Sequence, residues 1–245
     1  KVDHPAWQGW IDRGALPLLT LSVVSTPLLG MKRALAVLLT NFGYDYRLTA
    51  PLSTLSYLRV AKAQGIWLCD PSVLDRLQQV DVLVLAVNWR DPAIAALQAA
   101  LPVHLVTLPE QSTPATLITQ LQAEGRTVAY FTNLASDPAA VAADLSISVA
   151  QAPHEVLPGA VHIILPEDDP VQLQQLFALT NALAATRQRG FYLAFAPGLL
   201  NLGGIYFGQF GVMTALLVDY GGALLGMLNA TWPQLPAALH RDPSA

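Results

Sequence analysis

Residues 191–230 read FYLAFAPGLLNLGGIYFGQFGVMTALLVDYGGALLGMLNA, forty positions with one charged side chain, Asp219. A helix needs about 20 apolar residues to span the hydrocarbon of a bilayer. The block is therefore long enough for two spans, with a Gly/Gln break near Gly208–Gly211. A core helix of a soluble protein rarely runs this far without a polar face. The same signature recurs near the other end of the chain. Residues 14–31 carry no charge, and residues 34–58 carry only Asp45 and Arg47. These two stretches predict a second transmembrane hairpin over 14–58, turning at Met31–Arg33.

The chain has 245 residues, 53% hydrophobic and 12% charged. Average soluble domains are about 25% charged, and the blocks account for the deficit. Residues 59–190 hold seven Lys/Arg and twelve Asp/Glu, an ordinary soluble density. The expected organisation is a short N-terminal segment 1–13, a hairpin 14–58, a soluble domain 59–190, a hairpin 191–230 and a tail 231–245. The first residues, KVDHPAWQGWIDR, lack the pattern of a signal peptide. Arg59, Lys62, Arg187 and Arg189 flank the soluble segment and outnumber Lys32 and Arg33 on the opposite turn. The positive-inside rule then puts the soluble domain on the cytoplasmic side of an inner or thylakoid type of membrane. A net charge of −4 argues against a nucleic-acid partner. The single Cys69 excludes a disulfide framework, and the five His show no ligand spacing.

In the soluble segment, short β-branched runs alternate with helical stretches. VDVLVLAV (80–87), VHLVTL (103–108), TVAYF (127–131), LSISV (145–149) and VHIIL (161–165) read as buried strands. Helices are expected over 91–100, 114–124 and 138–143, and from Asp169-Pro170 toward Arg187. Asp91-Pro92 and Ser136-Asp137-Pro138 are good starts, a capping residue followed by Pro in the first turn. Alternation of this kind implies a parallel sheet wrapped by helices, an α/β Rossmann-like domain. Neither GxGxxG nor GxxxxGK[ST] occurs, so no phosphate loop is written in the sequence.

The order of parts, together with several stretches, resembles the heavy-metal-transporting P-type ATPases from their third core helix to their C-terminal end. The stretch ALAVLLTNFGYDYRLTAPLSTLSYLRVAKAQGIWLCDPSVLDRLQQVDVLVL (34–85) is similar to the family's run from metal-site helix to phosphorylation strand. LQAEGRTVAYF followed by DPAAVAADLSISV resembles its hinge segment, and Leu228-Asn229-Ala230 ends the last helix as the family's does. The resemblance implies four transmembrane helices as two hairpins, and a HAD-like domain without the nucleotide-binding insertion.

The resemblance also implies that the chemistry is gone. The Asp of DKTGT falls on Ala86, followed by Val87-Asn88-Trp89-Arg90, and a methyl group has no oxygen to attack phosphorus. Where the family has GDGxND, this chain has Thr132-Asn133-Leu134-Ala135-Ser136. Asp137 aligns with a family Asp under another gap placement, but a helix cap accounts for it as well. Only sixteen residues, 87–102, separate Ala86 from the next strand, where the family inserts its ATP-binding domain, so ATP is not an expected ligand. The actuator domain would lie before residue 1. The CPC triplet falls on Phe42-Gly43-Tyr44, which offers no thiolate or imidazole to a soft metal ion. Ala196-Pro197 stand where a Tyr-Asn pair is common, and Asp219, Gly222 and Ala223 where a Met and two Ser are common.

Asp45, Arg47 and Asp219 are the charges left inside the expected spans, and such charges are costly unless paired. The expectation is an ion pair of Arg47 with Asp45 or Asp219 in the place of a metal cation; a proton or anion path is the rival. No cofactor or metal is expected. The leading function is a pseudo-ATPase: a structural, assembly or regulatory subunit, with membrane lipid and other membrane subunits as partners. The alternative is the membrane half of a split cation transporter. A third reading is a small-molecule regulator whose remnant cleft is lined by Asn88, Thr107, Thr132 and Asn133.

Overall fold

The computed structural model describes residues 15–87, 89–108, 113–135, 137–151 and 161–234. The chain divides into two compact units, one formed by Lys1–Ser56 with Leu183–Ala245, the other by Tyr57–Ala182.

In the first unit, helix α1 covers Ala15–Leu29, α2 Met31–Leu39 and α3 Tyr46–Ala63, the last continuing into the second unit. Helix α7, Pro170–Phe207, begins in the second unit and ends in the first, and α8 covers Val212–Thr231. Among the described residues, α7 and α8 are the helices long and apolar enough to cross a membrane. Their break at 208–211 coincides with the Gly/Gln interruption of the sequence.

The first apolar block departs from expectation. The turn lies at Gly30, whose φ of +78° suits glycine, and Met31–Arg33 already open α2. The expected single span over 34–58 is two helices separated by a non-helical stretch at 40–45. Apolar composition reports burial in lipid or protein. It does not report whether the helix is continuous, so the break is invisible in hydropathy. Ala36, Val37, Ile205 and Ala215 are buried together, joining α2, α7 and α8. Asn229 Nδ2 on α8 donates to the Thr186 carbonyl on α7 at 2.9 Å.

The second unit is built on a six-stranded sheet of order β1-β6-β5-β4-β2-β3. Its strands are β1 (Trp67–Leu68), β2 (Val82–Ala86), β3 (His104–Thr107), β4 (Val128–Thr132), β5 (Leu145–Val149) and β6 (Ile163–Leu165). All pairs are parallel except β1 with β6. Short helices α4 (Val73–Leu77), α5 (Asp91–Ala100) and α6 (Pro114–Ala123) and a 3₁₀ turn (Pro138–Ala142) connect them. β2 and β4 are nearly continuous apolar runs because both faces of a covered parallel sheet are buried, and β5 buries Ser146 and Ser148 along with its apolar residues. One face packs Val82, Val84, Val128 and Tyr130 against Ile118 of α6 and Ala139 and Ala140 of the 3₁₀ turn. This arrangement brings the C-terminal ends of β2 and β4 side by side, with Ala86 paired to Thr132.

Candidate functional sites

The chain leaves β2 for β3 on one side, whereas β4 continues to β5 and β6 on the other. The strand order therefore reverses between β2 and β4. In open α/β sheets a ligand crevice forms at that point, beyond the strand ends. Half-buried Ala86 ends β2 there and presents a methyl group. Buried Thr132 ends β4; its Oγ1 donates to Asp137 Oδ2 at 3.2 Å and accepts from the Leu134 N–H at 3.2 Å.

Asp137 is engaged as a cap. Its Oδ1 accepts from the Ala139 N–H at 2.9 Å, and its Oδ2 accepts from the Tyr130 hydroxyl at 2.7 Å. Burial, then the Asp137 carboxylate, push the Tyr130 phenol well above its ordinary range. Asp144 is equally structural, accepting from the Val128 N–H at 2.9 Å and Gln122 Nε2 at 3.1 Å. Both carboxylates thus serve backbone or neutral donors. Among the described residues, no group of three or more His, Cys, Asp or Glu is placed to hold a metal ion.

The crevice itself is crossed by Trp89, a residue without a motif to mark it in the sequence. Its ring lies 5.1 Å from that of Phe131 on β4. Its Nε1 donates to Asp168 Oδ1 at 2.8 Å, and Asn133 Nδ2 donates to Asp168 Oδ2 at 3.1 Å. Of the residues expected to line a remnant cleft, Thr107 walls a cavity of about 400 Å³ together with Ala86, Trp89 and Asp91. Thr132 and Asn133 are outside those walls, and Asn88 lies outside the described residues.

The second locus is the helix break between α2 and α3, where Phe42, Gly43 and Tyr44 fall. Gly43 takes a φ of +80°, and the Phe42 ring meets Phe195 of α7 edge-on at 5.8 Å. The chain is closed locally by Asn41, whose Oδ1 accepts from the Tyr44 N–H at 2.9 Å and whose Nδ2 donates to Asp45 Oδ2 at 2.8 Å. The Asn41 N–H donates to Asp219 Oδ2 at 3.1 Å. On the other side, Asn201 Nδ2 of α7 donates to Asp219 Oδ1 and to the Ala215 carbonyl, each at 2.9 Å. Asn201 is fully buried, and its Oδ1 has no hydrogen-bond partner among the described residues.

The two carboxylates of the expected ion pair face amide donors at this locus. Asp45 and Asp219 are brought together through Asn41, and amides donate to both carboxylates. Arg47 is exposed at the start of α3, with its guanidinium 5.1 Å over the Tyr44 ring, a cation–π contact. Asn41 and Asn201 carry no charge, which is why a search for charges inside the spans misses them.

Close helix approach makes the cluster. A Cβ on Gly198 would stand 2.5 Å from the Asn41 carbonyl oxygen, and one on Gly222 would stand 2.3 Å from Pro197 Cγ. Only glycine fits at either position.

Among solved structures, the chain superposes on a zinc-transporting PIB-type ATPase in the E2.Pi state with a TM-score of 0.65 at 12% identity. That match covers 89% of this chain and 62% of the other. The fold of the chain resembles that of the matched part of a P-type ATPase. A second structure of a zinc-transporting PIB-type ATPase, in another state, matches with a TM-score of 0.63 at 13% identity, covering 93% of this chain and 62% of that one. The chain thus spans about three fifths of the length of these neighbours. Neither a comparison with protein-family models nor one with curated proteins finds a match.

Proposed function

We propose that this chain is a catalytically inactive, P-type-ATPase-like integral membrane protein that serves as a structural, assembly or regulatory subunit of a larger membrane complex. The observation that carries the reading is Ala86. It ends β2 at the crevice, where the resemblance puts the phosphorylated Asp, and offers no nucleophile. The neighbouring carboxylates support the reading, because Asp137 and Asp144 are spent on caps and backbone donors. In this proposal both apolar blocks form hairpins, giving four spans, and the HAD-like unit lies on the cytoplasmic side. Function lives in sites carried by a fold, so a fold without its chemistry leaves its surfaces to act.

A second reading, the membrane half of a split cation transporter, is favoured by one observation. Asp219 and Asp45 are linked through Asn41 at the helix break, beside the Oδ1 of Asn201, which has no partner among the described residues. Ionisable groups inside a span mark functional sites by default.

The test is affinity purification of the tagged full chain from native membranes, combined with acid-quenched labelling by radioactive ATP. The subunit reading expects fixed-stoichiometry membrane partners and no label on this chain. A lone monomeric species, or an acid-stable phosphate on the chain, overturns it. ATP hydrolysis by the purified complex that is stimulated by a cation and lost in Asp219→Asn would establish the second reading instead.

A further inference from the structure

We propose that Trp89 and Asp168 form a latch that roofs the β2/β4 crevice and fastens the loop after β2 to the start of α7. The indole lies against Phe131, which is fully buried in β4, so the ring is seated on the sheet core. Its N–H reaches Asp168, 79 positions later in the chain, at 2.8 Å. The second oxygen of the same carboxylate holds Asn133, from the loop after β4, at 3.1 Å. One carboxylate therefore ties together the loops that follow β2 and β4, across the point where α/β folds open for a ligand. A Trp ring joins an apolar body to a polar N–H that seeks an acceptor, and a charged acceptor makes the stronger hydrogen bond.

Asp168 stands two residues before Pro170, the first residue of α7. Asp169, between them, accepts from the Val171 N–H at 2.9 Å and so starts the helix. The latch is thus contiguous with the N-terminus of the 38-residue helix that runs on into the apolar block. Its consequence is that the loops after β2 and β4 are fastened to each other beside the cavity that Trp89 walls, with the state of the loop transmitted to the first turns of α7. This inference is independent of whether Ala86 ends catalysis, since it concerns opening and not chemistry.

Amide hydrogen exchange on the full chain in detergent tests it, comparing Trp89→Ala, Trp89→Phe and Asp168→Ala with wild type. Trp67→Phe is the control aromatic change in the same unit. The latch expects Trp89→Ala and Asp168→Ala each to speed exchange at least tenfold at Val87, Trp89 (or its replacement), Arg90 and Asn133–Ala135. It also expects faster exchange over Leu173–Phe177. Trp89→Phe, which keeps the ring but not the N–H, falls between, and the control changes nothing there. Unchanged exchange in Asp168→Ala, or Trp89→Phe indistinguishable from wild type, overturns the latch. Loosening confined to 87–90 overturns the coupling to α7. Should Trp89→Ala not fold, Trp89→Phe and Asp168→Ala decide the matter.

Discussion

Asp219 Oδ2, on α8, accepts the backbone N–H of Asn41 at 3.1 Å, inside the stretch where the helix between α2 and α3 is interrupted. An interrupted helix leaves N–H groups without intrahelical carbonyls, and in an apolar surround each needs a substitute acceptor. Asp219 supplies it from the neighbouring helix, while its other oxygen holds Asn201 of α7. One buried carboxylate thus joins the helix break to α7 and α8 through neutral amide donors.

Replacing Asp219 by Leu leaves the Asn41 N–H and one Asn201 Nδ2 hydrogen unsatisfied. A stranded buried donor costs roughly 1–3 kcal/mol, so Asp219→Leu is expected to lose about 2–6 kcal/mol. Asp219→Asn keeps an acceptor and costs clearly less. Thermal melting of the detergent-solubilised chain checks the order. Equal melting of Asp219→Leu and wild type would remove the helix break's dependence on this carboxylate.

The glycines separate by contact. Gly198→Ala forces a Cβ to 2.5 Å from the Asn41 carbonyl oxygen, and Gly222→Ala forces one to 2.3 Å from the Pro197 ring. Overpacking of this kind costs about 1–3 kcal/mol. Gly203→Ala and Gly221→Ala meet nothing within 4 Å and replace helical glycine by a better helix former, so they melt at or slightly above wild type. A melting series over the four variants checks the pairing. Uniform destabilisation would show that helix packing differs from the arrangement described.

Much of the sheet is legible in the sequence because parallel strands buried on both faces advertise themselves as β-branched runs. The runs at 82–86, 128–132 and 145–149 are such strands. β1 is not legible: two residues, Trp67 and Leu68, pairing antiparallel at an edge leave no periodicity to find. The sites are less readable than the fold. Ala86 is located by motif order, but Trp89 and Asp168 are far apart in sequence and meet only through strand order. Asn41 and Asn201 belong to the same class, uncharged residues whose role comes from the acceptor they face.

Asp137 distinguishes a cap from a metal ligand. Asp137→Ala removes the acceptor of the Ala139 N–H and leaves the Tyr130 hydroxyl without its 2.7 Å partner. Losing an N-cap costs about 1 kcal/mol and stranding a buried hydroxyl about 1–3 kcal/mol. The variant is therefore expected to melt lower by the equivalent of roughly 2–4 kcal/mol, with or without magnesium. A wild-type melting temperature that rises with magnesium, and ceases to do so in Asp137→Ala, would make the residue a ligand instead.

His162 gives the soluble unit a pH dependence of defined sign. Its Nδ1 lies 2.8 Å from Ser146 Oγ and accepts from the Ser146 N–H at 3.2 Å, so that nitrogen must be unprotonated in this arrangement. Burial holds the His162 pKa below its ordinary value, the nearby Arg76 cation adds to this, and Asp70 opposes it. The unfolded chain therefore binds the proton first as pH falls. The stabilising contribution is full above the unfolded pKa of about 6.5 and shrinks below it, until the folded form is protonated as well. Asp70 titrates far lower, because the Ser72 N–H and hydroxyl hold its carboxyl below the ordinary range, so it does not contribute in this window. Wild type is expected to lose more melting temperature between about pH 7.5 and pH 5.5 than His162→Gln, whose amide cannot take up the proton. Identical losses in the two proteins would show that Ser146 does not depend on the neutral ring.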